Sequence, residues 1–152
     1  MKPLLSAATC FLLAVAAAAS AGGCQQASQP QVTIHHTTWS VELATTSQQR
    51  MHGLAGREEL AADAGMLFIF PDSAVRYFWM QGCFIPLDVA FLDAHRRVVG
   101  FGTMAAEPNQ VGRVVYTSQA PAKYALEVNA GALEAAGVKI GDQADFSGDI
   151  PR

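Results

Sequence analysis

The sequence predicts a mainly β, compact single domain, folded as a sandwich or a partly closed barrel. Three observations carry this. About eight short apolar stretches recur, either alternating with period two or continuous and closed by turn residues. Helical signals are confined to two short segments. Once an Ala-rich N-terminal segment is set aside, the remaining chain has the length of one ordinary domain, enough to bury one core and too short for two.

That first segment, residues 1–23, reads as an address. Lys2 is its single charge, Leu4 to Ala19 is apolar, and Ser20-Ala21-Gly22-Gly23 leads into Cys24. This is the layout of a secretory signal peptide. Its end resembles a bacterial lipobox, which makes Cys24 the lipidated first residue of the mature protein. Two other readings stay open. Ala19-Ser20-Ala21 also forms an A-x-A site, which would give a soluble secreted or periplasmic product. Pro3–Ala21 is also long enough to span a bilayer uncut. Residues 24–31 are polar and aperiodic, a flexible tether whose seven residues after Cys24 reach at most about 25 Å. The expected location is therefore the periplasmic side of a membrane, reached through an N-terminal lipid. Gln25 after the cysteine favours the outer membrane.

The β domain is expected over residues 32–148. Val32–His35 and Trp39–Leu43 alternate in opposite phase, which a hairpin turn around His36–Thr38 explains. Thr46-Ser47-Gln48-Gln49 matches a capping box and predicts a helix to about Leu54, closed by Gly56. Gly65–Phe70, ended by Pro71, reads as a fully buried strand. Val75–Met80 and Pro86–Leu92 are further strands, and Val98–Met104 returns after the polar turn Asp93–Arg96. Met104–Gly112 is loop-like. Val114–Tyr116 and Tyr124–Val128 follow as strands, Leu133–Ala136 makes a helical turn closed by Gly137, and Ala144–Phe146 is a last short strand.

Charge and cysteine content narrow the function. Ten Lys and Arg against thirteen Asp and Glu leave a net charge of −3. A protein held by phosphates carries the opposite sign, so no nucleic-acid partner is expected. Of three cysteines, Cys10 falls in the leader and Cys24 at the cleavage site, leaving Cys83 without an internal disulfide partner. Cys83 reads first as a small buried hydrophobe, since no basic neighbour in sequence lowers its pKa.

No G-x-S-x-G, H-E-x-x-H, C-x-x-C or phosphate loop is present. The candidate residues are charges inside apolar strands. Asp88 and Glu127 each interrupt a strand, and a buried carboxylate needs partners. Arg57 could supply a bidentate one, either as a structural ion pair or as an anion-binding group beside a catalytic Asp88 or Glu127. Tyr77-Phe78-Trp79-Met80 sets Phe78 and Met80 on one strand face and Tyr77 and Trp79 on the other, one of which could be a ligand platform. His35, His36, His52, Met51, Met66, Met80, Met104 and Cys83 raise the question of a soft metal. His35 and His36 point to opposite strand faces and the methionines lack a repeated spacing, so neither a metal nor a cofactor is expected.

Gly53-Leu54…Arg57, Asp63-Ala64-Gly65-Met66-Leu67-Phe68…Phe70, Phe78-Trp79-Met80 and Ile85-Pro86-Leu87-Asp88…Phe91-Leu92-Asp93 together resemble the DUF192 family. Leu126-Glu127, Gly131 and Gly137…Gly141-Asp142 continue the likeness, which spans about residues 40–146. Ala55 stands where the family usually has Met, and Gln81-Gly82-Cys83 where Lys-Asn-Thr is usual. The resemblance implies a jelly-roll-like β domain, often exported, with no established activity. The function expected is a ligand-binding or accessory module of the cell envelope, with Arg57, Trp79, Met80, Cys83, Asp88 and Glu127 as candidate binding residues and a small envelope molecule as partner. The alternative is a small envelope hydrolase or lyase using Asp88 and Glu127.

Overall fold

The computed structural model describes residues 28–109 and 112–151. The leader, Cys24 and residues 25–27 of the tether lie outside the described residues.

Strands β1 (Gln31–Ile34) and β2 (Thr37–Ala44) form the expected hairpin, turning at His35-His36. The capping box closes at Thr46: its hydroxyl accepts from the Gln49 amide at 3.2 Å while the Gln49 side chain accepts from the Thr46 amide at 3.0 Å. Helix α1 (Ser47–His52) follows and ends on Gly53 at φ +52, three residues before the expected stop. Next come β3 (Ala64–Ala74), β4 (Tyr77–Phe78), β5 (Leu87–Leu92) and β6 (Val98–Met104). The chain closes with β7 (Tyr116–Thr117), β8 (Ala122–Asn129), the one-turn helix α2 (Ala132–Ala135) and β9 (Ala144–Ser147).

Seven strands make one curled sheet in the order β6-β5-β8-β3-β2-β1-β9, and β4 with β7 makes a small second sheet. The fold is mainly β, as expected. Every pairing is antiparallel except β2 with β3, which the α1 crossover makes parallel.

Two segments depart from the sequence reading. β3 runs past Pro71, with a register shift against β8 between Ile69 and Ala74. The shift lets the proline, which has no amide to donate, sit where no ladder bond is needed. The strand expected over Val75–Met80 pairs only at Tyr77 and Phe78. Its ends are drawn into local contacts instead: the Arg76 amide donates to the Ser118 hydroxyl at 2.9 Å, and the Met80 carbonyl accepts from the Cys83 amide at 3.0 Å.

The central strands are buried on both faces, so their side chains divide by parity. Leu67, Ile69, Ala90, Leu92, Leu126 and Val128 join one core with Trp39, Tyr124 and Leu133. Met66, Phe68, Val89, Phe91 and Ala125 join the other with Leu54, Phe78, Met80 and Cys83. The second core is knit by Phe78, whose ring lies edge-on to Phe68 at 5.0 Å and to Phe91 at 5.4 Å between centroids.

Candidate functional site

Parity decides the fate of the two candidate carboxylates. Asp88 pairs across the ladder with Val128, and Glu127 with Val89 and Met66. Cross-strand partners share a face. Asp88 therefore points into the first core and Glu127 into the second. Both are almost fully buried, yet they lie on opposite sides of one sheet and cannot act on one substrate.

Asp88 is fully engaged by its own fold. Its Oδ1 accepts from the Thr103 hydroxyl at 2.7 Å, and its Oδ2 accepts from the Leu133 amide, at the start of α2, at 3.0 Å. An open hollow lies over it, edged by Phe101, Glu134 and Lys139, but both carboxylate oxygens are already committed. Asp88 anchors α2 to the sheet.

Arg57 meets neither candidate. Its guanidinium donates to Glu42 Oε2 at 2.6 Å in a largely solvated ion pair. The sequence grouping of Arg57, Asp88 and Glu127 is thus corrected: the register sends the carboxylates to different faces, and Arg57 finds an exposed partner on β2.

Glu127 differs. It sits at the floor of a cleft of about 230 Å³ between α1, β3, the small sheet and the Gln81–Cys83 turn. Burial pushes its carboxyl up from the ordinary 4.5 to about 8. Among the described residues no donor reaches it, and no basic group offsets its desolvation. Gly53 makes the room. A side chain there would contact Phe68 Cζ at 3.3 Å and Glu127 Oε2 at 3.9 Å, and the backbone at φ +52 favours glycine independently.

The cleft walls are apolar and aromatic. Leu54, Phe68, Phe70 and Phe78 line the interior, and Tyr77 and Trp79 stand at the mouth, 63% and 43% exposed. Tyr77 and Trp79 thus form the outward face of the alternation read from the sequence, while Phe78 and Met80 face the core. Arg50 on α1 lines the cleft too, but its guanidinium donates to the Ile69 carbonyl at 2.9 Å and lies 5.2 Å from the Phe70 centroid. Cys83 completes the wall. Burial first, and then the nearby Glu127 and Glu107, push its thiol up to about 11, so it stays protonated. Its turn is pinned on both sides: Gly82 donates to the Glu107 carbonyl at 3.0 Å and accepts from the Gly56 amide at 2.9 Å.

Of the candidate residues, the cleft collects Trp79, Cys83 and Glu127. Arg57, Met80 and Asp88 do not line it, and Met80 is wholly enclosed in the core. Arg50, Gly53 and Phe70 were missed by sequence reasoning. Phe70 could have been noticed as the last ring of the Gly65–Phe70 run, but nothing local marks Arg50. Among the described residues, no three His, Cys, Asp or Glu side chains group as a metal site requires.

Comparison with known proteins fits this geometry to a family. A candidate transcription regulator from Sinorhizobium meliloti 1021 has a similar structure, with TM-score 0.71 and 30% identity over 79% of this chain and 95% of its own. A protein of unknown function from Novosphingobium aromaticivorans DSM 12444 matches with TM-score 0.69 and 31% identity, over 76% of this chain and 83% of its own. No functionally curated protein matches. Residues 30–146, nearly all of the β domain, match DUF192, described as an uncharacterized ACR, and the chain belongs to that family.

Proposed function

We propose that this DUF192 domain is a small-ligand-binding module of the cell envelope, exported behind its leader, held at the membrane through a lipid on Cys24, and that the cleft over Glu127 is its binding site. One observation carries the binding reading: a buried carboxyl without a protein donor, in a concave apolar site with aromatic rings left exposed at its mouth. Among the described residues every fully enclosed side-chain oxygen has a hydrogen-bond partner, so the Glu127 oxygens, which have none, open onto the cleft. A ligand donor entering the cleft can reach them. The tether supports the envelope reading, since a polar stretch ahead of β1 suits a domain held close to a surface.

Two measurements test this. A thermal-shift screen of the protein against envelope sugars, peptides and amines should raise the midpoint for at least one class, because a ligand that binds only the folded state stabilises it by mass action. That shift should disappear when Trp79→Ala opens the mouth. Intact mass of the membrane fraction should give a chain beginning at lipidated Cys24. A soluble product beginning at Gly22 would replace the anchored reading with simple secretion.

The raised Glu127 pKa favours one second reading. A carboxylic acid still protonated at neutral pH can act as a general acid, so Glu127 alone is retained from the hydrolase or lyase alternative. Turnover of a ligand found in the screen, lost in Glu127→Gln while binding persists, would favour catalysis over storage.

A further inference from the structure

We propose that the occupant of the Glu127 cleft is a small organic cation, a primary ammonium group that pairs with the Glu127 carboxylate while its apolar part lies among the cleft's aromatic rings. The inference rests on the reading of the cleft as a ligand site and adds the ligand's charge.

Three features point to a cation. First, the described residues supply Glu127 with no counter-charge. Among them, Arg50 is the only Arg or Lys lining the cleft, and its guanidinium is spent on the Thr45 and Ile69 carbonyls and the Phe70 ring. Arg57, the next arginine along the chain after Arg50, is paired with Glu42. Second, the side chains opposite Glu127 in the ladder, Met66 on β3 and Val89 on β5, are apolar, so the carboxyl has no competing partner in the sheet. Third, the surroundings are rings. Phe68 and Phe78 meet edge-to-face inside, and Tyr77 and Trp79 stand exposed at the mouth. Aromatic faces attract cations and repel anions, and they do so more strongly where water is excluded. An anionic ligand would have no cationic partner among the described cleft residues, and would prevent Glu127 from ionising.

The chemistry balances as an exchange of cations. At neutral pH the carboxyl holds a proton. An entering ammonium takes its place, the O–H bond breaks, and the proton leaves to buffer, so one positive charge replaces another and the net charge inside the cleft is unchanged. The other titratable groups facing the cleft are Arg50 and His52 from α1, Tyr77 from β4 and Cys83 from its turn, with Glu107 close enough to act on the thiol, which stays protonated through this range. Through Glu127, affinity for the amine rises with pH until that carboxyl is ionised.

Calorimetric titration of the full-length chain with benzylamine and with benzyl alcohol, a neutral analogue of the same shape, tests the assignment. Benzylamine should bind about tenfold more tightly at pH 7 than at pH 6 and about fivefold more tightly again at pH 8, with close to one proton released per molecule at pH 7, read from the dependence of the heat on buffer ionisation enthalpy. Glu127→Gln, which swaps one neutral group for another at pH 7 and so keeps the fold, should weaken benzylamine at least tenfold and abolish the proton release. Equal binding of the alcohol and the amine, without pH dependence, overturns the cation assignment and leaves the ligand-site reading standing. Silence from benzylamine also overturns the assignment, whereas the ligand-site reading falls only if the wider envelope screen fails as well.

Discussion

Asp88 and Glu127 occupy neighbouring strands of one sheet, stand one ladder position apart, and are 3% and 4% exposed, yet the fold treats them in opposite ways. Asp88 receives a hydroxyl and a helix-start amide and thereby fastens α2 to the sheet. Glu127 receives nothing from the described residues and faces a cleft. Burial alone therefore does not mark a functional carboxylate. What separates the two is the count of donors around each, and that count is a property of the face. On the first face α2 brings the Leu133 amide onto Asp88, whereas the second is interrupted by Gly53 and the pinned turn at Gly82.

The sharpest way to break this contrast is through pH. The folded chain holds the Glu127 proton up to about pH 8, while the unfolded chain releases it near 4.5. Between those values the folded state binds more protons, so its contribution to stability is complete below 4.5 and is lost as pH rises toward 8, at about 1.4 kcal/mol per pH unit and about 5 kcal/mol in all. Urea denaturation at pH 5 and pH 8 should show that decline in the wild type and much less of it in Glu127→Gln. Identical slopes would remove the distinction between the carboxyls. Next in size, Asp88→Ala should cost about 3 kcal/mol at pH 7, because it deletes two hydrogen bonds and leaves the Leu133 amide buried without an acceptor. A loss below about 1 kcal/mol, read from the urea midpoint, would mean that Asp88 anchors nothing. The smallest effect belongs to Arg57→Ala, whose exposed pair with Glu42 should contribute less than about 1 kcal/mol and fade in salt. A larger loss would give Arg57 a role that its position denies.

Much of the fold was legible because its signals are local. The Thr46–Gln49 box, the phase change between Ile34 and Trp39, and the Gly65–Phe70 run each encode their element within a few residues. What the sequence hid is register. Asp88 and Glu127 looked equivalent because each sits among apolar neighbours, and only the pairing of Val89 with Glu127 reveals which side each takes. The Arg57 grouping failed for the same reason: charge complementarity names possible partners, but topology chooses among them, and it chose Glu42. The aromatic alternation at Tyr77–Met80 was readable for orientation, but not for the cleft it borders, since α1 and β8 enter from far along the chain.

The pairing of β1 with β9 has a temporal consequence. Val32 lies opposite Phe146 and Ile34 opposite Ala144, so this side of the sheet is finished only by residues more than a hundred positions later. Such distant contacts slow folding, since chain entropy is lost long before the contacts repay it. As the chain emerges from a ribosome, β1 presents an unpaired edge until Ala144–Ser147 arrive, a period in which a second nascent copy could pair with it instead. The last strand therefore acts as a clock for the whole domain: until it docks, the sheet is open and prone to aggregate.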